Sequence, residues 1–309
     1  MLAIFLKTLP FFALIGLGWF AGRIRFFPQD ATAWLTKFVF YFALPAMLFR
    51  FAGSLHIAEL FDLRLVLAYL LGSTLVWAAG FFVARARKLP LAECAMEAHA
   101  GMTGNTGFLG IPMLLVLFGE RAIGPIMLLL TIDMIVYSTL VTLIVTAAKH
   151  GRVTLAIVPQ LLLGIIRNPM IAAMIAGLLW SAFGLTFAAP LDEFLAMLGA
   201  AATPGALFAI GASLAGKSAE RLGPAIWLSF AKLVLHPLAV GIAALAIFKV
   251  DPFSAGVMIS AAALPVAGNV YILAQHFGIA VQRVSTAILI STAISIASIP
   301  AVIHWITQG

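Results

Sequence analysis

The sequence predicts an all-α polytopic membrane protein with about ten transmembrane helices. Three observations carry that prediction. Of 309 residues, 63% are hydrophobic and only 9% charged, where a soluble domain carries about 25% charged. The apolar residues fall into blocks of roughly 20, the length at which a helix crosses a bilayer. Two of those blocks are interrupted by Gly, Asn and Pro in matching places of the two halves. A β-barrel is excluded, because barrels show alternating segments of about ten residues, not continuous apolar runs.

Taken in order, span one covers about 3–22, two 33–52, three 64–84, four 93–118 and five 123–147. A short basic linker follows, at 148–167. Span six covers about 168–186, seven 191–214, eight 224–248, nine 253–277 and ten 284–306. The N-terminal run has a poor positive region, with Lys7 inside the apolar stretch, and is long enough to span. It reads as the first helix and not as a signal peptide. One cysteine, Cys94, leaves no disulfide framework within the chain.

The net charge of +7 does not indicate nucleic acid, because the basic residues sit in short loops. Loops after odd-numbered spans carry Arg23, Arg25, Arg85, Arg87, Lys88, Lys149, Arg152, Lys217, Arg221 and Arg283. Loops after even-numbered spans carry mainly Arg64, Arg121 and Lys249. Positive loops stay in the cytoplasm, so both termini are expected outside, in an inner (plasma) membrane.

The two halves resemble each other. "LPAMLFRFAGS" from Leu44 matches "TPGALFAIGAS" from Thr203, with Pro45, Leu48 and Phe49 against Pro204, Leu207 and Phe208. Spans four and nine are each followed by Phe-Gly and a polar turn. The chain therefore divides into repeats 1–147 and 168–309. Five spans is an odd number, so the second copy enters the membrane inverted, a plan common among secondary transporters.

The interruptions are "GNTGFLGIP", Gly104 to Pro112, in span four and "ALPVAGNVY", Ala263 to Tyr271, in span nine. Proline costs about 3 kcal/mol or more inside a helix, and glycine adds flexibility. In hydrocarbon such breaks survive only against protein or a water-filled cavity. Half-helix N-termini attract anions. The expected substrate-binding set is Gly104, Asn105, Thr106, Pro112, Pro265, Asn269 and Tyr271.

Three residues are candidates for charge or coupling. Asp133 lies about ten residues into span five, where an acid is costly and faces a cavity or a partner. It is read either as a proton carrier or as an acid bonded to the break in span four. Lys232 is read as a partner of Asp133, as a bias toward anions, or as a lysine snorkelling to the surface. His236 shares its face and reads more as a satisfied core residue. Glu93, Glu97 and His99 in span four read as vestibule residues or an exposed helix end. Arg50 reads as an interfacial anchor, and Tyr137, four residues after Asp133, as a substrate contact or, more in keeping with its type, an aromatic packing residue.

No enzyme motif is present. The S-x-x-K match at Ser229–Lys232 lacks its companions, and "GLGWFAG" suits helix packing. No cofactor and no metal are expected.

"GNTGFLGIP" resembles the fourth-span motif of the auxin efflux carrier family, which includes the plant PIN-FORMED transporters and bacterial relatives. "ALPVAGNVYILAQHFG" resembles its ninth-span motif, and "AKLVLHPLAV" at 231–240 its eighth span. The resemblance covers the whole chain. It implies a crossover fold similar to that of bile-acid/sodium symporters, with substrate bound where broken spans four and nine cross. It implies a scaffold of spans one, two, six and seven, a transport unit of spans three, four, five, eight, nine and ten, and an elevator movement. It also implies a secondary carrier of a small organic anion, an auxin-like acid or a mono- or dicarboxylate, coupled to proton or sodium or to neither, with room for a homodimer. The large loop of many plant members is missing, which matches a compact bacterial-type member. The alternatives are a sodium-coupled symporter of bile-acid type, for which Asn105, Thr106 and Asn269 are few oxygen ligands, and an anion channel, for which no filter repeat is visible.

Overall fold

The computed structural model describes residues 2–54, 62–150, 168–216 and 221–308. The linker expected at 148–167 lies largely outside these residues, as do Arg152 and Lys217. All regular elements among the described residues are helices: α1 (Leu2–Arg23), α2 (Gln29–Gly53), α3 (Leu63–Ala86), α4 (Leu91–Met102), α5 (Thr106–Phe118), α6 (Glu120–Ala148), α7 (Pro169–Ala182), α8 (Ala189–Ala215), α9 (Leu222–Ile247), α10 (Pro252–Ala262), α11 (Gly268–Phe277) and α12 (Val281–Gln308). Of these, α1, α2, α3, α6, α8, α9 and α12 are each long and apolar enough to cross a membrane. The protein is a multi-pass membrane protein.

Proline shapes several of these helices without ending them. Five π-helical segments occur among the described residues: Val39–Ala43, Thr106–Gly110, Asp133–Tyr137, Ala231–Leu235 and Ile242–Ile247. Three of them stop two residues before a proline: Pro45, Pro112 and Pro237. A proline leaves the carbonyl four residues back without its donor and collides with it. Widening that turn to the i→i+5 pattern relieves the collision while the helix continues. Pro112 therefore sits within a helix, not at the break it was expected to cause. The break lies upstream, at 103–105, between α4 and α5.

The chain forms two compact units. One comprises 10–62 and 158–216; the other comprises 1–9, 63–157 and 217–309. Within the smaller unit α2 packs along α7 and α8. Small residues let backbones touch: Gly177 of α7 lies against the Phe49 carbonyl and Ala52, and Gly18 of α1 against the Phe208 backbone. Arg50 is more than an interfacial anchor. Its Nε and Nη2 donate to the two carboxylate oxygens of Asp192 at 2.6 and 3.0 Å, a fork that ties α2 to the start of α8. Trp180 stacks on Phe187 at 5.2 Å, and Phe49 meets both rings edge-on.

In the larger unit α3 lies between α4 and α9. Gly80 approaches the Ala98 backbone, and Gly72 the Val240 backbone. These two glycines allow the apolar α3 to sit close enough for its polar residues, Tyr69, Ser73 and Thr74, to reach partners on α6 and α9.

The tightest glycine contact tests the smaller unit. A methyl group at Gly211 would stand 1.9 Å from the Ile15 carbonyl oxygen, whereas one at Gly16 would meet nothing within 4 Å. Gly211→Ala should therefore destabilise the protein by about 1–3 kcal/mol, the usual cost of overpacking. Gly16→Ala on the same helix pair should be neutral or slightly stabilising. Thermal unfolding in detergent compares the two.

Candidate functional site

At its two breaks the chain loses helical hydrogen bonds. α4 ends at Met102, and Thr103 is extended, with φ −74° and ψ 117°. α10 ends at Ala262, and α11 starts after Ala267, which is also extended. The two gaps pair with each other. Asn105 N–H donates to the Pro265 carbonyl at 2.9 Å, and Ala267 N–H donates to the Thr103 carbonyl at 3.1 Å. Gly104 and Val266 face each other in an isolated antiparallel bridge. Backbone groups freed in a low-dielectric interior need partners, and each break supplies the other's.

One helical pair in the second break is replaced by side chains. In an unbroken helix the Val266 N–H would donate to the Ala262 carbonyl. Here Val266 N–H donates to Ser291 Oγ of α12 at 3.0 Å, and the Ala262 carbonyl accepts from Lys232 Nζ of α9. Lys232 is fully buried, which rules out snorkelling. Its ammonium completes the C-terminal end of α10, where partial negative charge collects.

From Lys232 a chain of polar contacts leads away. Nζ meets His236 Nδ1 at 3.0 Å. With the ammonium as donor there, His236 Nε2–H donates to Ser73 Oγ at 2.9 Å, a tautomer set by the network. His236 is thus a satisfied core residue, as its position suggested. One turn before Ser73, the Tyr69 hydroxyl donates to Asp133 Oδ1 at 2.9 Å. Asp133 is bonded to α3, not to the break in span four, and forms no direct ion pair with Lys232. Tyr137 does more than pack: its hydroxyl donates to the Leu70 carbonyl at 3.0 Å and contacts Thr74 Oγ1 at 3.0 Å.

The predicted binding residues come together unevenly. Gly104 touches Lys232: a methyl group there would lie 3.1 Å from Nζ and 3.0 Å from Cε. A side chain there would push the end of Lys232 by a few tenths of an ångström. Asn105 precedes α5 as its N-cap residue, but its side chain makes no capping bond. Thr106 begins α5 and is buried. Pro265 gives its carbonyl to the bridge. Asn269 lies in the first turn of α11 and its Oδ1 has no hydrogen-bond partner. The space beside Gly268 is open, with nothing within 4 Å of a would-be Cβ. Tyr271 faces the other way along α11, its hydroxyl accepting from Gln275 Nε2 at 3.0 Å. The N-terminal ends of α5 and α11 thus flank the paired breaks, with Lys232 beside Gly104 and carboxamides at Asn105 and Asn269. That set suits an anion.

Sequence reasoning missed a charge cluster on α4. Glu97 is fully buried, not an exposed helix end. Arg87 Nη1 and Arg283 Nη1 each donate to one of its oxygens at 2.6 Å, and Arg283 Nη2 donates to Glu93. Two arginines that sequence treats only as reporters of orientation hold α4 to the turn before it and to the start of α12. Tyr69, Ser73 and Ser291 were missed too. Their signal was faint: single polar residues inside otherwise apolar runs. No group of three His, Cys, Asp or Glu side chains suited to a metal occurs among the described residues.

Comparison with known proteins shows the family. A family model described as "Membrane transport protein" matches residues 3–303. The chain belongs to this family, that of the auxin efflux carriers. It is 32% identical to a protein of Rhizobium meliloti (strain 1021) named "Putative malonate transporter", over 98% of this chain and 95% of that one. It is 25% identical to "Uncharacterized transporter YfdV" of Escherichia coli (strain K12), over 92% of this chain and 91% of the relative, and equally to the protein of that name in Shigella flexneri. Family and relatives are transporters, not enzymes.

The replaced helical pair gives a direct test. Ser291→Ala leaves the buried Val266 N–H without an acceptor, which costs about 1–3 kcal/mol. The expected result is a lower melting temperature in detergent. Ser298→Ala on the same helix, where the hydroxyl has no partner, should lack that loss.

Proposed function

We propose that this protein is a secondary carrier of a small organic anion, bound where the two broken helices meet. The observation that carries this reading is the mutual pairing of the breaks around a buried lysine. A chain gains nothing in packing from two interrupted helices in a bilayer protein. It gains a place where backbone N–H groups, helix N-termini and an ammonium face a ligand. α4 with α5, and α10 with α11, serve as the broken fourth and ninth spans of a ten-span, five-plus-five inverted repeat.

The substrate class is a short dicarboxylate such as malonate. The name of the relative from Rhizobium meliloti supports this, and so does the site chemistry. Each carboxylate accepts several hydrogen bonds, and the donors are Asn105, Asn269 and the backbone at the starts of α5 and α11. Charge-assisted bonds of this kind are about twice as strong as neutral ones.

The elevator movement is supported by the division into two units. The unit holding both breaks also holds α3, α6, α9 and α12, while α2, α7, α8 and most of α1 form the other. In this reading the first carries the anion across and the second is the scaffold. The distribution of Lys and Arg supports an inner-membrane orientation with both termini outside.

Uptake of radiolabelled malonate into proteoliposomes tests the proposal. Wild type should show saturable uptake. Asn105→Ala should reduce it at least tenfold while the purified protein keeps its size-exclusion profile and melting temperature. Malonate should raise the melting temperature of wild type, by mass action on the folded state, and not that of the variant. Linear, non-saturating flux would instead indicate a channel. Wild-type protein inert to malonate and to other small carboxylates would remove the organic-anion reading.

A further inference from the structure

Asp133 is a buried acid that the pairing of the two breaks does not use and that no arginine or lysine bonds directly. It lies in the π-helical turn Asp133–Tyr137 of α6 and is almost wholly buried. One oxygen receives the Tyr69 hydroxyl; the other, Oδ2, has no hydrogen-bond partner. A buried carboxylate normally collects two or more donors. Lys232 lies near enough for the two side chains to interact electrostatically, yet they form no direct ion pair. Lys232 in turn has no carboxylate among its hydrogen-bond partners, which are the Ala262 carbonyl and His236.

The surroundings of Asp133 contain few other titratable groups. α3 brings Tyr69, α9 brings Lys232 and His236, and its own turn brings Tyr137. The half-helices α5 and α10, which pack against α6, carry no titratable side chain; α4, which also packs against α6, carries Glu93 and Glu97, both bonded to arginine, and the buried His99, whose Nδ1 meets Thr103 Oγ1 at 3.0 Å. Glu97 is neutralised by its two arginines, which leaves Asp133 and Lys232 as the buried acid and base without a direct ionic partner. Burying either charge alone is expensive. With Asp133 ionised, the two opposite charges balance each other without touching. With a proton on Oδ2, Lys232 is left as an uncompensated cation beside Gly104, at the place where the carrier reading puts the anion.

We infer that Asp133 is the proton-binding site of this carrier, and that its carboxylate and the substrate carboxylate compete for the single buried charge of Lys232. The inference rests on the carrier reading and adds its driving ion. A proton from one side of the membrane binds Oδ2 and frees the lysine for the anion. Release of both on the other side restores the Asp133–Lys232 balance. Each turn moves one proton with one anion and makes or breaks no other bond. Tyr69 is a positioning residue, holding Oδ1 so that Oδ2 stays open.

The experiment separates coupling from carriage. Proteoliposomes loaded with malonate are tested for counterflow, which needs no net proton movement, and empty ones for uphill accumulation under an imposed pH gradient. Wild type should do both, and a protonophore should abolish accumulation but not counterflow. Asp133→Asn, which keeps the shape and fixes the neutral form, should retain counterflow within about threefold and lose gradient-driven accumulation at least tenfold. Accumulation by wild type that ignores the pH gradient, or follows a sodium gradient instead, overturns the inference without the variant. So does an Asp133→Asn protein that still accumulates, or a folded one that loses counterflow as well. Absence of counterflow in wild type would sink the carrier reading itself.

Discussion

Everything at the centre of this protein depends on one constraint: a backbone N–H or C=O cannot be left bare in hydrocarbon. A single broken helix would leave several such groups exposed. Two breaks set against each other close most of that deficit, through Asn105 with Pro265 and Thr103 with Ala267. The pairing is a two-residue fragment of antiparallel ladder inside an all-helical unit. Neither break is stable without the other, so α4, α5, α10 and α11 form one interdependent element even though they are far apart in sequence. Ser291 and Lys232 complete the exchange by taking over the lost Val266–Ala262 pair. The lysine is thus structural and electrostatic at once, and the site's charge comes from the group that repairs the helix end.

The same constraint explains how the rest of the helices handle proline. In water a kinked turn is solvated. Here the turns before Pro45, Pro112 and Pro237 widen instead, and their carbonyls stay within the helix. Close approach of backbones does the remaining work. Gly72 and Gly80 bring α3 against α9 and α4, and only that proximity lets Tyr69 and Ser73 connect Asp133 with His236. Replacing either glycine would move the polar chain as well as the packing.

Much of this was legible in the sequence because hydropathy and helix breakers act locally. The blocks of apolar residues announced the membrane helices, and the Gly-Asn and proline pairs announced both interruptions. Asp133, Lys232 and His236 stood out because a charged residue inside an apolar run needs a reason. What sequence could not supply was the partner. Lys232 was expected to meet Asp133 or the surface, and it meets a carbonyl that is free only because α10 ends at Ala262. Pro112 was expected to break its helix, and the break falls upstream at 103–105 while Pro112 is absorbed by a π turn. Glu97 read as an exposed helix end, since nothing local shows that Arg87 and Arg283, almost two hundred residues apart, converge on it. Pairing across such distances is a property of the fold and not of any window of sequence.

The two broken helices are also anchored differently at their outer ends. Gly119 and Gly278, both in left-handed conformations with φ 78° and 67°, end α5 and α11 and turn the chain into α6 and α12. Each turn is followed by an arginine. Arg121 lies over the Phe253 ring, 4.7 Å from its centroid, at the start of α10. Arg283 grips Glu93 and Glu97 on α4. Each arginine therefore holds the first half of the other broken helix. The strengths differ, however. A cation over a phenyl ring contributes about 0.5–1 kcal/mol where exposed, whereas breaking a buried carboxylate's ion pair costs about 3–5 kcal/mol. The end of α4 is thus held harder than the end of α10. Of the two contacts, the one between Arg121 and Phe253 can part without leaving a buried charge behind, and the one on Glu97 cannot.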